Sequence, residues 1–302
     1  MYLVRLKPEM PYLVLLISCF FGSKLHTQDF TWWSDNVGWD GKTHWRQYLT
    51  YSPRMLGPNA LPLPTLHEGR IDSAFAFGTS GRLYLSPGDL TLAPGFFFRY
   101  ATPDRRFSFD SYWVPREIFR TSHTWKTLRK VHFPAYGVGH AMADILFNGS
   151  VQLTRESKHF ADLTFRTSWR YATSTRVDAA RGTDAPGYAF DLTSGKSLTK
   201  SWRVFGMVGF YVWQTNRDDY PQNDAILLGL GTRIQAKKWS FSPQYRGYWG
   251  YIGDGDDHVT ASLLVQYAGP SWRFFTHLHA GFEDNLYHSV ELGLWFWKSS
   301  HP

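Results

Sequence analysis

A single cysteine, Cys19, occurs in 302 residues, and it sits near the N-terminus. If the segment around it is removed on export, the remaining chain has no disulfide and no thiol chemistry to offer. Long apolar runs are also scarce. Past residue 25 no stretch approaches the ~20 apolar residues that a membrane-crossing helix needs, which excludes a helical membrane protein. Helical periodicity of any length is missing, so parallel β-α-β units are not expected. There is no Ala/Glu/Lys/Leu dominance to suggest a coiled coil, and no Lys/Arg-rich block to suggest a nucleic-acid footprint. What the chain does have is rings: 14 Trp, 17 Tyr and 23 Phe make it 18% aromatic. Its mean hydropathy is nevertheless −0.34. Such an aromatic load argues against disorder and leaves a β-rich protein with many rings to place.

The N-terminus has the layout of a secretory signal peptide. Arg5 and Lys7 precede the apolar stretch from Pro11 to Gly22, and small and polar residues follow from Ser23 to Gln28. That order is read as a leader over residues 1–28, cleaved near Thr27 or Gln28. Leu16-Ile17-Ser18-Cys19 also has the look of a lipobox, so lipidation at Cys19 is the rival reading; Phe20 and Phe21 carry the apolar region past it and suit ordinary cleavage better. The leader holds Arg5, Lys7 and Lys24 against Glu9, so +5 of the full chain's +7 stays with the remainder. In an exported protein this excess fits anionic lipid headgroups or an anionic solute rather than nucleic acid.

The body of the chain alternates. From Ala161 to Ala172 one parity reads Ala161, Leu163, Phe165, Thr167, Trp169, Tyr171, and the other Asp162, Thr164, Arg166, Ser168, Arg170, Ala172. Successive side chains of a strand point to opposite faces, so this is one apolar and one polar face. Residues 141–153, 226–237, 239–249 and 259–267 repeat the pattern. About twelve such segments can be drawn, most near the ~9–11 residues of a tilted spanning strand. They lie near 71–86, 89–101, 106–114, 141–154, 160–173, 187–198, 202–214, 225–237, 239–251, 258–268, 271–282 and 286–297.

A soluble sandwich and a closed barrel both accommodate this series. Connections decide between them. Those at 155–159, 199–201, 237–238 and 269–271 are short, and those at 115–140, 174–186, 215–224 and 252–257 are mostly long. This alternation belongs to an outer-membrane barrel with short periplasmic turns and longer outer loops, although 283–286 breaks it. Rings near strand ends, Trp202 and Trp213, Trp239 and Trp249, Trp295 and Trp297, would form interfacial girdles. The expected fold is all-β: an antiparallel up-and-down transmembrane β-barrel of about 12 strands over residues 71–298.

The closing segment His288-Ser289-Val290-Glu291-Leu292-Gly293-Leu294-Trp295-Phe296-Trp297, with the leader and the alternating strands, resembles a Gram-negative outer-membrane β-barrel across residues 71–297. A narrower resemblance covers roughly residues 139–214. There Ala180-Arg181-Gly182-Thr183-Asp184-Ala185-Pro186-Gly187-Tyr188-Ala189-Phe190-Asp191-Leu192 and then Gly195-Lys196 are similar to a family of transporter-like barrels named for a phenol-degradation pathway. The resemblance implies a porin- or transporter-like protein of the outer membrane and supplies no catalytic residues. The terminal Phe usual in such barrels is absent, since the chain ends Lys298-Ser299-Ser300-His301-Pro302.

Residues 29–70 alternate poorly and carry Trp32, Trp33, Trp39, Trp45 and Pro53, Pro58, Pro62, Pro64. They form either a periplasmic lead-in under the barrel or a plug whose tryptophans contact a ligand. The acidic loop Ile252–Asp257, with Asp254, Asp256 and Asp257, lacks the full pattern of a calcium loop and is read as solvated, as are Asp218 and Asp219. The polar parity presents Asp144, Asp162, Arg166, Arg170, Arg233, Arg246, Arg273 and Glu291 to the lumen. Such charges must be paired or hydrated. They line either an anion-attracting passage or a closed ion-pair network. An outer-membrane lipid hydrolase would need Ser beside His. His277 and His279 share one parity and Ser289 and Glu291 another, but His288 points away from Ser289. The chain is therefore read as a non-enzymatic barrel with no metal and no cofactor. It meets outer-membrane lipid and passes or binds a small polar or anionic solute; the other reading is a non-conducting accessory subunit with envelope protein partners.

Overall fold

The computed structural model describes residues 30–72, 75–134, 136–215, 222–253 and 255–298. The expected leader with Cys19 lies outside them, as do Asp218, Asp219 and Asp254. Among the described residues the strands are β1 (Phe75–Ser86), β2 (Asp89–Ala101), β3 (Phe107–Trp113), β4 (Glu117–Thr121), β5 (Val138–Ala141), β6 (Ile145–Thr154), β7 (Asp162–Tyr171), β8 (Gly187–Ser197), β9 (Trp202–Gln214), β10 (Gln222–Ala236), β11 (Trp239–Gly250), β12 (Asp257–Ala268), β13 (Trp272–Glu283) and β14 (His288–Lys298). Two seven-residue helices, α1 (Thr31–Val37) and α2 (His123–Arg129), stand outside the sheet. Among the described residues no helix is long and apolar enough to cross a membrane.

The sheet closes. β1 pairs with β2 on one side and β14 on the other, and every pairing is antiparallel. β2 holds β3 along Phe96–Ala101 and β4 along Asp89–Leu92. β6 and β5 then pair with β3 and β4 respectively. β3 with β4, and β5 with β6, are thus two wall strands, each interrupted once, and the result is a closed barrel of 12 strands. The interruptions fall at Pro115 and at Met142–Asp144, where Ala143 N–H still donates to Val114 C=O at 3.0 Å.

The expected long loop at 115–140 is therefore a correction. Its two ends are wall: β4 and β5 are five and four residues long, too short to show a period, and the stretch with α2 joins them. Ser122 caps α2 by accepting the backbone N–H of Trp125 at 3.3 Å. Trp125 seats on the β1–β2 turn at Gly88 (φ +85°), where a Cβ would meet the indole at 1.8 Å. The opposite end has short connections. β10 and β11 are joined by Lys237 and Lys238 alone, with Lys237 at φ +55°, as the twist of a two-residue hairpin requires.

Alternation sorts the side chains as expected. On β7 Asp162, Thr164, Arg166 and Arg170 are buried inside, while Trp169 and Tyr171 are exposed outside. The outer wall bares large apolar groups on many strands, among them Phe77, Phe96, Val208, Leu230 and Leu292. Each would cost ~1.5–3 kcal/mol to hold in water, so a continuous belt of them requires an apolar medium. The girdle expectation needs correction at three of its rings. Trp202, Trp239 and Trp249 follow the outward parity. Trp213 points inward and is fully buried, and Trp295 and Trp297 share the inward parity of Glu291. Trp295 packs on Phe97 with ring centroids 4.0 Å apart.

Candidate functional site

Before entering β1, the chain passes through the inside of the barrel. α1 rests on α2 at the end bearing the longer connections: Trp33 Nε1 donates to Lys130 C=O at 2.7 Å, and Lys126 Nζ lies 4.3 Å from the Trp32 ring centroid. Gly38, at φ +63°, ends α1. Trp33 and Trp45 close on the His132 ring, and Trp39 packs on Trp33. The four tryptophans singled out in the sequence therefore gather at this loop end, not deep in the lumen. Leu49, Tyr51, Leu56, Leu61 and Leu66 then pack in one core with Phe205, Met207, Tyr211, Trp213, Leu227 and Tyr248 of the inner wall. At the far, turn end, Ile71 N–H donates to Gln152 Oε1 at 2.7 Å. Residues 48–71 are thus an arm clamped to the wall β8–β11.

Three groups of buried charge line the interior. Near the loop end Asp89 accepts from Arg129 at 2.5 Å, from Arg181 at 2.8 Å and from the Tyr287 hydroxyl at 3.0 Å. Beside it Glu117 accepts from Asn59 of the arm at 2.5 Å. Midway, Arg170 holds Asp144, and Arg166 donates to Asp191 at 2.7 Å and to Thr65 of the arm at 3.2 Å. Toward the turn end Arg203 donates to Asp162 at 2.6 Å, to Glu156 at 2.7 Å and to the Glu68 carbonyl at 2.8 Å. Arg233 pairs with Glu68 at 3.2 Å. Burying such charges is tolerable because each is matched and hydrogen-bonded.

The fourth stretch of wall, β11–β14 and β1, is different. His277 stands opposite Glu291 and His279 opposite Ser289. Arg82 donates to Glu291 and lies 3.0 Å from His279 Nε2. His277, His279 and Glu291 each bring a ligand atom within 4.8 Å of the others, a set chemically able to hold a metal ion, but Arg82 already occupies the space between two of them. Arg246 is buried on β11, and Arg273 lies over the Trp297 ring at 5.1 Å. Arg233, Lys238, Arg273, Ser240 and Gln266 line a small cavity of about 50 Å³ at the turn end.

All eight lumen residues expected from parity point inward, and six of them, Asp144, Asp162, Arg166, Arg170, Arg233 and Glu291, are in ion pairs with the walls or arm. Parity did not reveal Arg82, Asp89, Glu117, Arg129, Arg181 or Arg203. Arg203 shares a face with Phe205 and Met207, which hides it, and Arg181 lies in a loop. The acidic-loop expectation is corrected at Asp256. Its carboxylate is buried, accepting from Asn223 at 2.7 Å and from the backbone N–H of Ile252 at 3.2 Å. Burial pushes its pKa up to about 6. Burial also pushes His132 down to about 4, helped by the charges of Arg176 and Lys126.

No family model and no curated protein matches the chain. Solved structures do. The COG4313 outer membrane channel from Pseudomonas putida F1 aligns at a TM-score of 0.56 and 12% identity, covering 80% of this chain and 97% of that one. The KdgM porin aligns at 0.47 and 10%, covering 74% and 99%. The Pseudomonas putida toluene transporter TodX aligns at 0.39 and 9%, covering 85% and 100%. The first shows that this chain has the fold of an outer-membrane β-barrel channel.

Proposed function

We propose that this protein is an outer-membrane channel for a small polar or anionic solute, with its own N-terminal arm lying in the passage. The observation that carries the reading is the asymmetry of the interior. The arm packs on the apolar inner wall β8–β11. The facing wall keeps polar side chains that are only half-buried, His277, His279, Gln266 and Arg273 among them, and Thr65 of the arm is exposed toward the interior. A polar half-lumen beside a clamped arm suits passage of a hydrated solute, and the basic turn-end cavity would raise the local concentration of anions. In this reading the protein is exported through a cleaved leader, residues 1–28, and sits in outer-membrane lipid.

A second reading rests on the loop end. There the Asp89–Arg129–Arg181–Tyr287 cluster is buried almost completely, which favours a non-conducting accessory barrel with envelope protein partners. Planar-bilayer recording of the purified full chain separates the two. The channel reading expects ion-conducting steps with a preference for anions; a barrel that inserts but never conducts rejects it.

A further inference from the structure

Among the described residues, the interior arginines are matched to acids except for half-buried Arg273 at the turn end, which lies over the Trp297 ring, and Arg246. Arg82 has Glu291, Arg129 and Arg181 share Asp89, Arg166 has Asp191, Arg170 has Asp144, and Arg203 has Asp162 and Glu156. Arg246 is just as deeply placed, 5% exposed. It makes no ion pair and no hydrogen bond with any described residue, and its Nε is buried without a partner. A buried charge left unpaired is costly, and proteins ordinarily match or hydrate it.

Other orphaned polar atoms lie around it. Gln244 is two residues along the same face and pairs across the sheet with Ser262, which pairs in turn with His279. Gln244 Oε1, Ser262 Oγ and His277 Nε2 are all buried without a partner. These atoms occupy inward positions of β11, β12 and β13 at the border of the apolar core of the arm, to which Tyr248, two residues from Arg246, belongs. Arg82 and Arg166 lie within electrostatic reach of Arg246, and each already has its own carboxylate. The net surplus is one positive charge, surrounded by groups that can donate to oxygen once the Gln244 amide and the His277 tautomer are turned to suit.

We propose that Arg246, with Gln244, Ser262 and His277, forms a binding site for a small oxyanion on the inner wall of the barrel. The proposal deepens the channel reading by naming the class of solute, and rests on it only for how the anion arrives. A guanidinium presents a planar fork that matches two oxygens of a phosphate, sulfate or carboxylate. One bound negative charge would neutralise Arg246, and the serine and amide would take further oxygens. A metal ion is a poor fit to the same place. The guanidinium of Arg82 stands between His279 and Glu291, and Arg246 adds a second positive charge nearby.

The test uses the purified full chain in detergent, in chloride-free buffer, titrated with inorganic phosphate and followed by calorimetry and by the temperature midpoint of the heat-induced mobility shift. Saturable one-to-one binding that raises the midpoint is expected. Arg246→Met should weaken phosphate at least tenfold. Its midpoint without phosphate should equal or exceed that of the parent, which shows that the barrel still folds. His277→Ala should weaken binding less, and Arg120→Gln on the outer face should leave it unchanged. The site is overturned if the parent takes up no phosphate saturably, if Arg246→Met binds within twofold of the parent, or if zinc alone binds there in a manner lost in His277→Ala. Phosphate binding without any bilayer current would support the site and sink the channel. Current whose anion preference is unchanged in Arg246→Met, without saturable phosphate binding, would sink the site and leave the channel.

Discussion

Asn59 of the arm donates its amide to Glu117 of β4 at 2.5 Å and accepts the Tyr84 hydroxyl of β1 at 2.9 Å. One side chain on the threaded segment thus satisfies two buried groups on the wall opposite its apolar clamp. Asn59→Ala would leave the Tyr84 hydroxyl proton without an acceptor, though Arg82 still donates to its oxygen, and would leave Glu117 only Arg181 at 3.6 Å, at about 1–3 kcal/mol. The midpoint of the heat-induced mobility shift should fall, and protease should cut within residues 48–71 more readily. An unchanged midpoint with an unchanged digest would mean that this contact does not hold the arm.

Asp89 is the hinge of the loop-end cluster, since two arginines and a tyrosine converge on it. Asp89→Asn keeps the shape and removes the charge, leaving Arg129 and Arg181 buried side by side with only Glu117 near; Arg181 Nη1 is 3.6 Å from its carboxylate. Breaking a buried pair in this way costs about 3–5 kcal/mol. The folded, fast-migrating form should therefore be lost at a markedly lower temperature. A shift no larger than that of a surface substitution would show the cluster to be hydrated and dispensable.

Leu230 is 69% exposed near the middle of β10, on the outer face. In a barrel that spans lipid, Leu230→Arg should cost ~2–4 kcal/mol, the penalty for a charge near the midplane. Insertion into vesicles should fall while the detergent-solubilised fold survives. A soluble sandwich would accept the same arginine on its surface, so normal solubility without detergent would overturn the membrane reading.

How much of this was legible in the sequence differs by element. Strands such as β7, polar on one parity and apolar on the other, announce themselves, because lumen and lipid are different solvents. β2 was harder to read: Ala93 and Phe97 face inward and Leu92 and Phe96 outward, so both parities are apolar. Where the arm lies, the lumen itself is apolar. This is why Trp213 faces inward against expectation, in the core that also holds Leu227. The charged residues of the polar parity lie on the inner face, but the parity did not name their partners. Arg166 meets Asp191 only because β7 and β8 pair in that register, and register is not written in composition. Contacts with the arm, such as Arg203 with Glu68, span 135 positions, and no local pattern encodes them.

The loop end carries two titrating groups, Asp256 buried and His132 half-buried, whose effects on stability have opposite signs. Asp256 is raised from 3.8 to about 6 by burial, against the hydrogen bonds from Asn223 and Ile252. The folded protein holds that proton where the unfolded chain has lost it, so the contribution of Asp256 is present below about pH 4 and disappears as pH rises toward 6. His132 is lowered from 6.5 to about 4 by burial among Phe30, Trp33 and Trp45, with Arg176 and Lys126 adding repulsion. Here the unfolded chain binds the proton first, so the contribution is complete above about pH 6.5 and is lost as pH falls through 4. The midpoint of the heat-induced mobility shift, measured from pH 4 to 7, should expose both. Relative to the parent, Asp256→Asn should lose stability most at pH 4 and least at pH 7. His132→Phe should gain most at pH 4, because a phenyl ring fills the aromatic pocket and cannot take up a proton. Variant-to-parent differences that stay flat across this range would show that neither group is buried as described. Slopes of the same sign for both would place one of the two side chains in water.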